Sequence, residues 1–380
     1  MMKDYKPLGD YIRAVDVRNR ELSVTTLLGV SISKEFIPSI ANTIGTDMST
    51  YKIVRKGQFA YGPVTSRNGD KVSIALLDNE DNAIISQAYT VFEVKDVNEL
   101  LPEYLMMWFR RPEFDRYARF HSHGSAREIF DWEEMCDVML PIPPIERQRE
   151  IVAEYETLSR RIDINKQLIT KLEASAQALY RKMFVDGIDK ENLPEGWRKG
   201  TLGEVAEIIT RGKSPKYLED SNDLVIGQRC VRNHMVDLNI ARTHLPKQGS
   251  TLLKYGDILI NSTGEGSLGR VGQVYFNKGN VTFDSHITLV RFIDEADSFY
   301  YGVLLTLSEN DIETLAIGST GQTELPRESI CNFEVLVPCK FIVDDFYNKV
   351  KNVKNIASIK KQENLKLTEL QSLLLAKMGR

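Results

Sequence analysis

The 380-residue sequence predicts an α+β chain built twice: two α/β domains in tandem, each followed by a long helix. The two helices are expected to pair as an antiparallel coiled coil about a pseudo-twofold axis. Three observations predict this. Apolar residues in 143–185 recur at alternating steps of four and three, the spacing of a heptad seam. The chain repeats itself at a shift of 195 residues. The stretches before each long periodic segment carry short β-branched and aromatic runs separated by Gly, Pro and Asn turns.

In chain order, residues 1–142 form the first globular domain. Tyr51–Tyr61, Val72–Leu77 and Ala83–Val94 read as strands, with turns at Tyr61-Gly62-Pro63 and Arg67-Asn68-Gly69-Asp70. Glu99–Arg111 and Pro112–Phe120 read as short helices divided by Pro112. His121–Ala126 is a loop, Asp131–Cys136 a short helix and Val138–Ile142 a last strand. The first long helix, 143–185, opens at Pro143-Pro144 and stops at Gly187. Its seam runs through Ile151, Tyr155, Leu158, Ile162, Asn165, Ile169, Leu172, Ala176, Leu179 and Met183, with Asn165 its one polar position. About forty residues at ~1.5 Å each make a rod of roughly 60 Å, and so long and narrow a seam needs a partner helix.

The partner lies in the same chain. A shift of 195 carries Pro143 onto Pro338, Lys166-Gln167 onto Lys361-Gln362, Leu172 onto Leu367, Leu179 onto Leu374 and Lys182-Met183 onto Lys377-Met378. At a shift of 194, Leu8-Gly9-Asp10 meets Leu202-Gly203-Glu204. After a polar linker, 186–196, residues 197–338 repeat the first plan. Tyr255–Ile260 answers Lys56–Ala60, and His286–Phe292 answers Ala88–Val94. Phe299–Ser308 and Asp311–Ile317 stand for the short helices, Gly318–Gln322 for the His121 loop, and Glu334–Pro338 leads into the second long helix. That helix, 339–380, keeps Phe346, Val350, Val353, Leu367, Leu370 and Leu374 on one side, interrupted by Lys360, Glu363 and Asn364. Antiparallel packing would bring Asn165 to this polar stretch, a layer that fixes register at a cost in stability.

Composition bounds the function. With 42% apolar and 27% charged residues the chain reads as globular, and no apolar run reaches the ~20 residues of a membrane span. No membrane contact is expected, and cytoplasm is the expected location, since MMKDYKPLGD lacks the apolar block of a secretory signal. Cys136, Cys230, Cys331 and Cys339 form no CxxC pair, so neither a disulfide framework nor a metal site is expected. The net charge is −4. Residues 1–142 hold 17 basic against 21 acidic residues, and 196–338 hold 14 against 18. Nucleic-acid contact must then be a local patch, with partner subunits neutralising much of the phosphate.

Two enzyme signatures fail on inspection. Gly264, Gly266 and Gly269 spell GxGxxG with Asp284 downstream, but Arg270–Phe276 reads as a strand where a dinucleotide site needs a helix N-terminus. Ile142-Pro143-Pro144-Ile145 lacks the amide or carboxylate and the aromatic of a methyltransferase motif. Catalysis and cofactors are therefore not expected. Two similar heads on paired helices instead suit a bipartite DNA site, each head reading a few base pairs and ignoring those between.

With these features in place, the chain resembles the specificity subunits of type I restriction–modification enzymes. The resemblance rests on the duplicated plan, on Pro141-Ile142-Pro143 with Leu336-Val337-Pro338 as its partial counterpart, and on ERQREIV at the first long helix. The second head adds ITRGKSPKY (209–217), GDILINSTGEGSLGRVG (256–272), FDSHITLVRF (283–292) and GSTGQTEL (318–325). CKFIVDD after Pro338 departs from the opening usual at the second helix. The resemblance implies a non-catalytic protein whose heads are target-recognition domains. It would read a bipartite target in double-stranded DNA, dock two adenine-methylating subunits and, through them, restriction subunits. A specificity subunit of a type IIB-like system and a coiled-coil adaptor whose heads bind protein are the alternatives.

The residues expected to touch DNA are loop cations and amides. Arg211, Lys213 and Lys216 share RGKSPK; Gln228, Arg229, Thr263, Arg270, Gln322 and Thr323 follow in the second head. Arg18, Arg20, Arg67, Asn68, His121, His123 and Arg127 are their counterparts in the first. Arg pairs bidentately with guanine and Gln or Asn with adenine, while cations on Gly/Pro loops suit phosphates.

Overall fold

In the computed structural model, residues 5–39, 45–66, 71–124, 128–318 and 323–379 are described. The chain divides into two compact units. One comprises Met1–Ile162 with Lys366–Arg380, the other Asp163–Leu365. Each therefore holds one globular head and one part of each long helix, Ile145–Phe184 and Lys340–Lys377.

In the first unit, four antiparallel strands run in the order Ile12–Val15, Thr90–Val94, Phe59–Tyr61, Ile74–Leu76. Two expected strands are each broken in two. Tyr51–Tyr61 becomes Lys52–Arg55 and Phe59–Tyr61, because Gly57 sits at φ +84°, a turn that β-branched neighbours cannot make. Ala83–Val94 becomes Asn82–Ile85 and Thr90–Val94, with Tyr89 N–H closing a turn onto Ser86 O. The core beneath the sheet is aromatic: Phe59 stacks on Phe92 at 4.8 Å, and Phe109 meets both edge-on. Phe109 comes from the short helix Pro102–Phe109, which begins three residues later than Glu99.

The second unit rebuilds the same sheet and extends it. Ile208–Arg211, Ile287–Arg291, Ile258–Asn261 and Val271–Gln273 repeat the four-strand order, and Met235–Val236 and Val231–Arg232 add two more. Equivalence holds at single residues. Gln58 Nε2 donates to Glu93 Oε2 at 2.7 Å, and at the same place Arg291 makes a two-pronged bond to Asp257, both contacts 2.7 Å. Gly9 packs on Cys136 and Gly203 on Cys331, so tightly that a Cβ would come within 2.8 and 3.1 Å of them. Tyr104 Oη donates to Pro141 O, and Tyr300 Oη to Leu336 O. The strand leading into each long helix pairs with the strand that opens its head: Met139–Pro141 with Tyr5–Pro7, and Glu334–Val337 with Arg198–Thr201. The short helices of the second head, Glu295–Leu307 and Glu309–Thr314, both start earlier than expected, the first capped by Asp294.

Where head meets helix, the repeats differ in chemistry. Gln148 is fully buried; its Oε1 accepts from Leu101 N–H at 2.9 Å, and its Nε2 donates to Glu99 O and Pro143 O. At the equivalent position of the second helix stands Val343, buried at 3% exposure. There Lys340 pairs with Asp294 at 2.8 Å and lies near Asp297. Tyr180, Phe184, Tyr300 and Phe346 close the junction as an aromatic cluster with centroids 4.6–6.0 Å apart.

Within each unit the helix halves run antiparallel. In the first, Gln371 Nε2 donates to Ser159 Oγ at 2.7 Å, while Val152, Tyr155, Leu375 and Met378 share one core. In the second, Tyr180 meets Phe346, Lys361 pairs with Glu173, and Asn165 Nδ2 donates to Asn364 Oδ1 at 2.9 Å. Tyr155, Ile162, Asn165 and Val350 are buried; Leu158, Ile169, Leu172, Leu179, Val353, Leu367 and Leu374 are half-buried. Leu370 departs from the expected side. It is 48% exposed, because a step of four from Leu367 puts Gln371 inward instead. With Leu158, Leu373 and Leu374, Leu370 lines an open groove of about 720 Å³ between the helix halves of the first unit, rimmed by Glu150, Glu154 and Lys377.

Candidate nucleic-acid interface

In each head, a loop that follows the short helices folds back on the strand end after the central strand. In the first head, Ile129 bridges both Val64 and His123; in the second, Glu324 bridges both Thr263 and Ile317. Of the candidate residues, this small β-cradle holds His123 in the first head and Thr263 in the second. Thr65 Oγ1 bonds Ser122 Oγ at 2.9 Å and so ties the segment before Arg67 to the histidine loop. Arg67, Asn68, Arg127 and Gln322 lie outside the described residues.

In the first head, His121 Nδ1 lies 2.9 Å from Glu134 Oε2, His123 Nε2 lies 3.5 Å from Oε1, and Tyr117 stacks on His121. Arg18 is held by Thr50 O at 2.8 Å and by the Asp16 carboxylate. Strand register sets Arg13 level with Ile208 of the second head, so Arg18 follows its strand as Lys213 follows the other. Arg20 is exposed. Among the described residues no contact joins Arg18 or Arg20 to the His121 loop.

In the second head the gathering is tighter. Arg211 donates to Ser285 O and Leu325 O and pairs with Glu324 at 2.8 Å, so its charge clamps the cradle. Gly212 must be glycine because a Cβ there would lie 2.2 Å from the carbonyl oxygens of Phe283 and Asp284. Lys213 Nζ donates to Gln248 O, Lys247 Nζ to Ser214 O, and Leu245 N–H to Lys216 O. The RGKSPK loop is thus laced to segment 245–249, and Lys213 and Lys216 stay exposed. Arg229, Arg270 and Thr323 are exposed too, Arg270 donating to Gly266 O. Gln228 is half-buried with its Nε2 on Thr263 O at 2.7 Å and on Thr263 Oγ1.

His286 is the residue that sequence reasoning passed over. It stands exposed at the mouth of strand Ile287–Arg291, its Nδ1 2.8 Å from Thr263 Oγ1. Asp284 Oδ1 accepts from His286 N–H at 2.9 Å, and burial raises the Asp284 carboxyl above the usual range. The GxGxxG segment, with φ of +103°, +66° and +81° at its glycines, runs into strand Val271–Gln273. No group of metal-ligating side chains gathers among the described residues, and no described helix is long and apolar enough to cross a membrane. The four cysteines are free.

Comparison with known proteins follows this geometry. The model of the type I restriction modification DNA specificity domain matches residues 32–174 and 194–373. The chain is 27% identical over 231 residues to the HindI specificity subunit of Haemophilus influenzae, covering 57% of this chain and 50% of that protein. It is 20% identical over 304 residues to the MjaVIII specificity subunit of Methanocaldococcus jannaschii, covering 72% and 68%. The match thus spans half the length of the first of these relatives. In fold, it resembles the crystal structure of a type I restriction–modification S subunit from M. genitalium, with a TM-score of 0.64 at 16% identity, covering 98% of this chain and 95% of that one.

Proposed function

Because the chain belongs to the type I restriction–modification DNA specificity family, we propose that it is the non-catalytic subunit that chooses the DNA site for a methylating and restricting assembly. Residues 1–142 and 197–338 serve as the target-recognition domains, each reading one half of a bipartite duplex target. Residues 143–185 and 339–380 are the spacer helices, and 186–196 the linker between repeats. The observation that carries this reading is the repeated cradle with unlike contents: one β-bridge construction holds Val64, His123 and Ile129 in one head and Thr263, Ile317 and Glu324 in the other. A shared scaffold with different side chains at its mouth suits two different short words of DNA sequence.

Chemistry would come from partners. Two adenine-methylating subunits dock the helices and head–helix junctions, and restriction subunits join through them. The open groove at Leu158, Leu370, Leu373 and Leu374 offers such a partner apolar surface with charged residues at its edge. Reconstitution tests the proposal: methylating subunits combined with this chain should modify adenines at one bipartite sequence. The same subunits without it should show no sequence preference. Site-specific methylation in its absence contradicts the reading, and so does indifference to its presence.

A further inference from the structure

We infer that His286 reads DNA in the second head as a fixed hydrogen-bond donor, its tautomer set by Gln228 acting through Thr263. The inference rests on the proposal that this head reads DNA. The orientation of the Gln228 amide follows from chemistry. One end of it lies 2.7 Å from the Thr263 carbonyl oxygen, which only accepts, so that end is the NH2 group. The same NH2 group also donates to Thr263 Oγ1. A hydroxyl that accepts there keeps its own proton to give, and the partner in line is His286 Nδ1 at 2.8 Å. Nδ1 is thereby an acceptor, the ring proton sits on Nε2, and the exposed edge of His286 offers an N–H.

The ring is held as well as protonated. His286 N–H donates to Asp284 Oδ1, and His286 O accepts from Ser262 N–H at 2.8 Å. A Cβ on Gly264 would come within 2.9 Å of the Gln228 amide, so the glycine leaves the relay its space. The Gln228 NH2 group is turned inward onto Thr263, away from the paired contact to adenine expected of it. It is a positioning residue, as is Thr263. The outward donor at this point belongs to His286, and its partner on DNA is an acceptor: a purine N7, guanine O6 or thymine O4 on a base edge, or a phosphate oxygen.

Two measurements test this. In the full-length chain, 15N spectra of the histidine rings should show His286 as the Nε2–H tautomer. Thr263→Ser, which keeps the hydroxyl, should preserve that state and Thr263→Val should lose it. An Nδ1–H tautomer in the wild type overturns the relay, and this arm requires no DNA. In the complex with methylating subunits, His286→Ala and Thr263→Val should relax one position of one half-site by roughly tenfold, while Thr263→Ser keeps the wild-type motif. That pattern identifies a base acceptor. An unchanged motif with uniformly weaker binding identifies a phosphate acceptor, and because the ring is neutral the salt dependence stays as in the wild type. Wild-type motif and affinity in His286→Ala overturn the proposal for His286 while leaving DNA reading intact. A wild-type complex with no sequence preference instead defeats the reading of the head itself.

Discussion

Residue chemistry at the heart of this chain is polar where a simple core would be apolar. Lys354 is 8% exposed within the second unit, and burial lowers its ammonium pKa from 10.5 to about 8, with Lys361 repelling it and Glu173 partly compensating. The unfolded chain thus binds this proton up to about pH 10.5 and the folded chain only up to about pH 8. Stability rises with pH across that window and carries the penalty below it. A difference of this size amounts to about 3 kcal/mol. Lys354→Met is expected to be the more stable protein in urea at about pH 7 and to lose most of the gain that the wild type shows on moving to about pH 9.5. An equal gain in the variant would assign the pH dependence elsewhere. Single residues also mark the limit of sequence reading. Gln148 looked like one more polar residue of ERQREIV, yet it bonds three backbone groups of the first junction. His286 was read as the first letter of a strand, and nothing in the spacing tied it to Thr263 or Gln228, which approach it only through sheet pairing.

At the scale of elements, periodicity was legible and its phase less so. The four-and-three pattern located both long helices to within a few residues. It misplaced Leu370, since a straight helix drifts ~20° per heptad and the inward face moves from one column of side chains to the next. Strand order could not be read from composition at all, because pairing in register is a tertiary choice. The turn between Lys52–Arg55 and Phe59–Tyr61 was signalled by Gly57 alone. The mid-helix polar layer was visible as Asn165 opposite a weakened seam, and the amide pair Asn165–Asn364 gives it a geometry. Replacing either residue breaks the amide pair. The double change Asn165→Leu with Asn364→Leu is therefore expected to raise the melting temperature by several degrees while admitting shifted registers or extra assembly states. Thermal unfolding with light scattering checks both effects; a lower melting temperature with one unchanged assembly state would contradict the layer's role.

For the whole molecule, the duplication was the most readable feature. Residue-for-residue agreement between Lys166-Gln167 and Lys361-Gln362, and between Leu8-Gly9 and Leu202-Gly203, needs no structure to be seen. What the structure adds is that the heads share their sheet, their entry strand and their cradle although few of their side chains agree. Such a pair can diverge at its mouths without disturbing its frame, and the two heads are therefore expected to show independence of specificity. It is tested most directly by replacing residues 197–338 with the corresponding head of a relative of different specificity and sequencing the adenine methylation made by the reconstituted complex. The expected motif has one half changed to that of the donor and the other half as it was. A motif altered in both halves, or in neither, would contradict it.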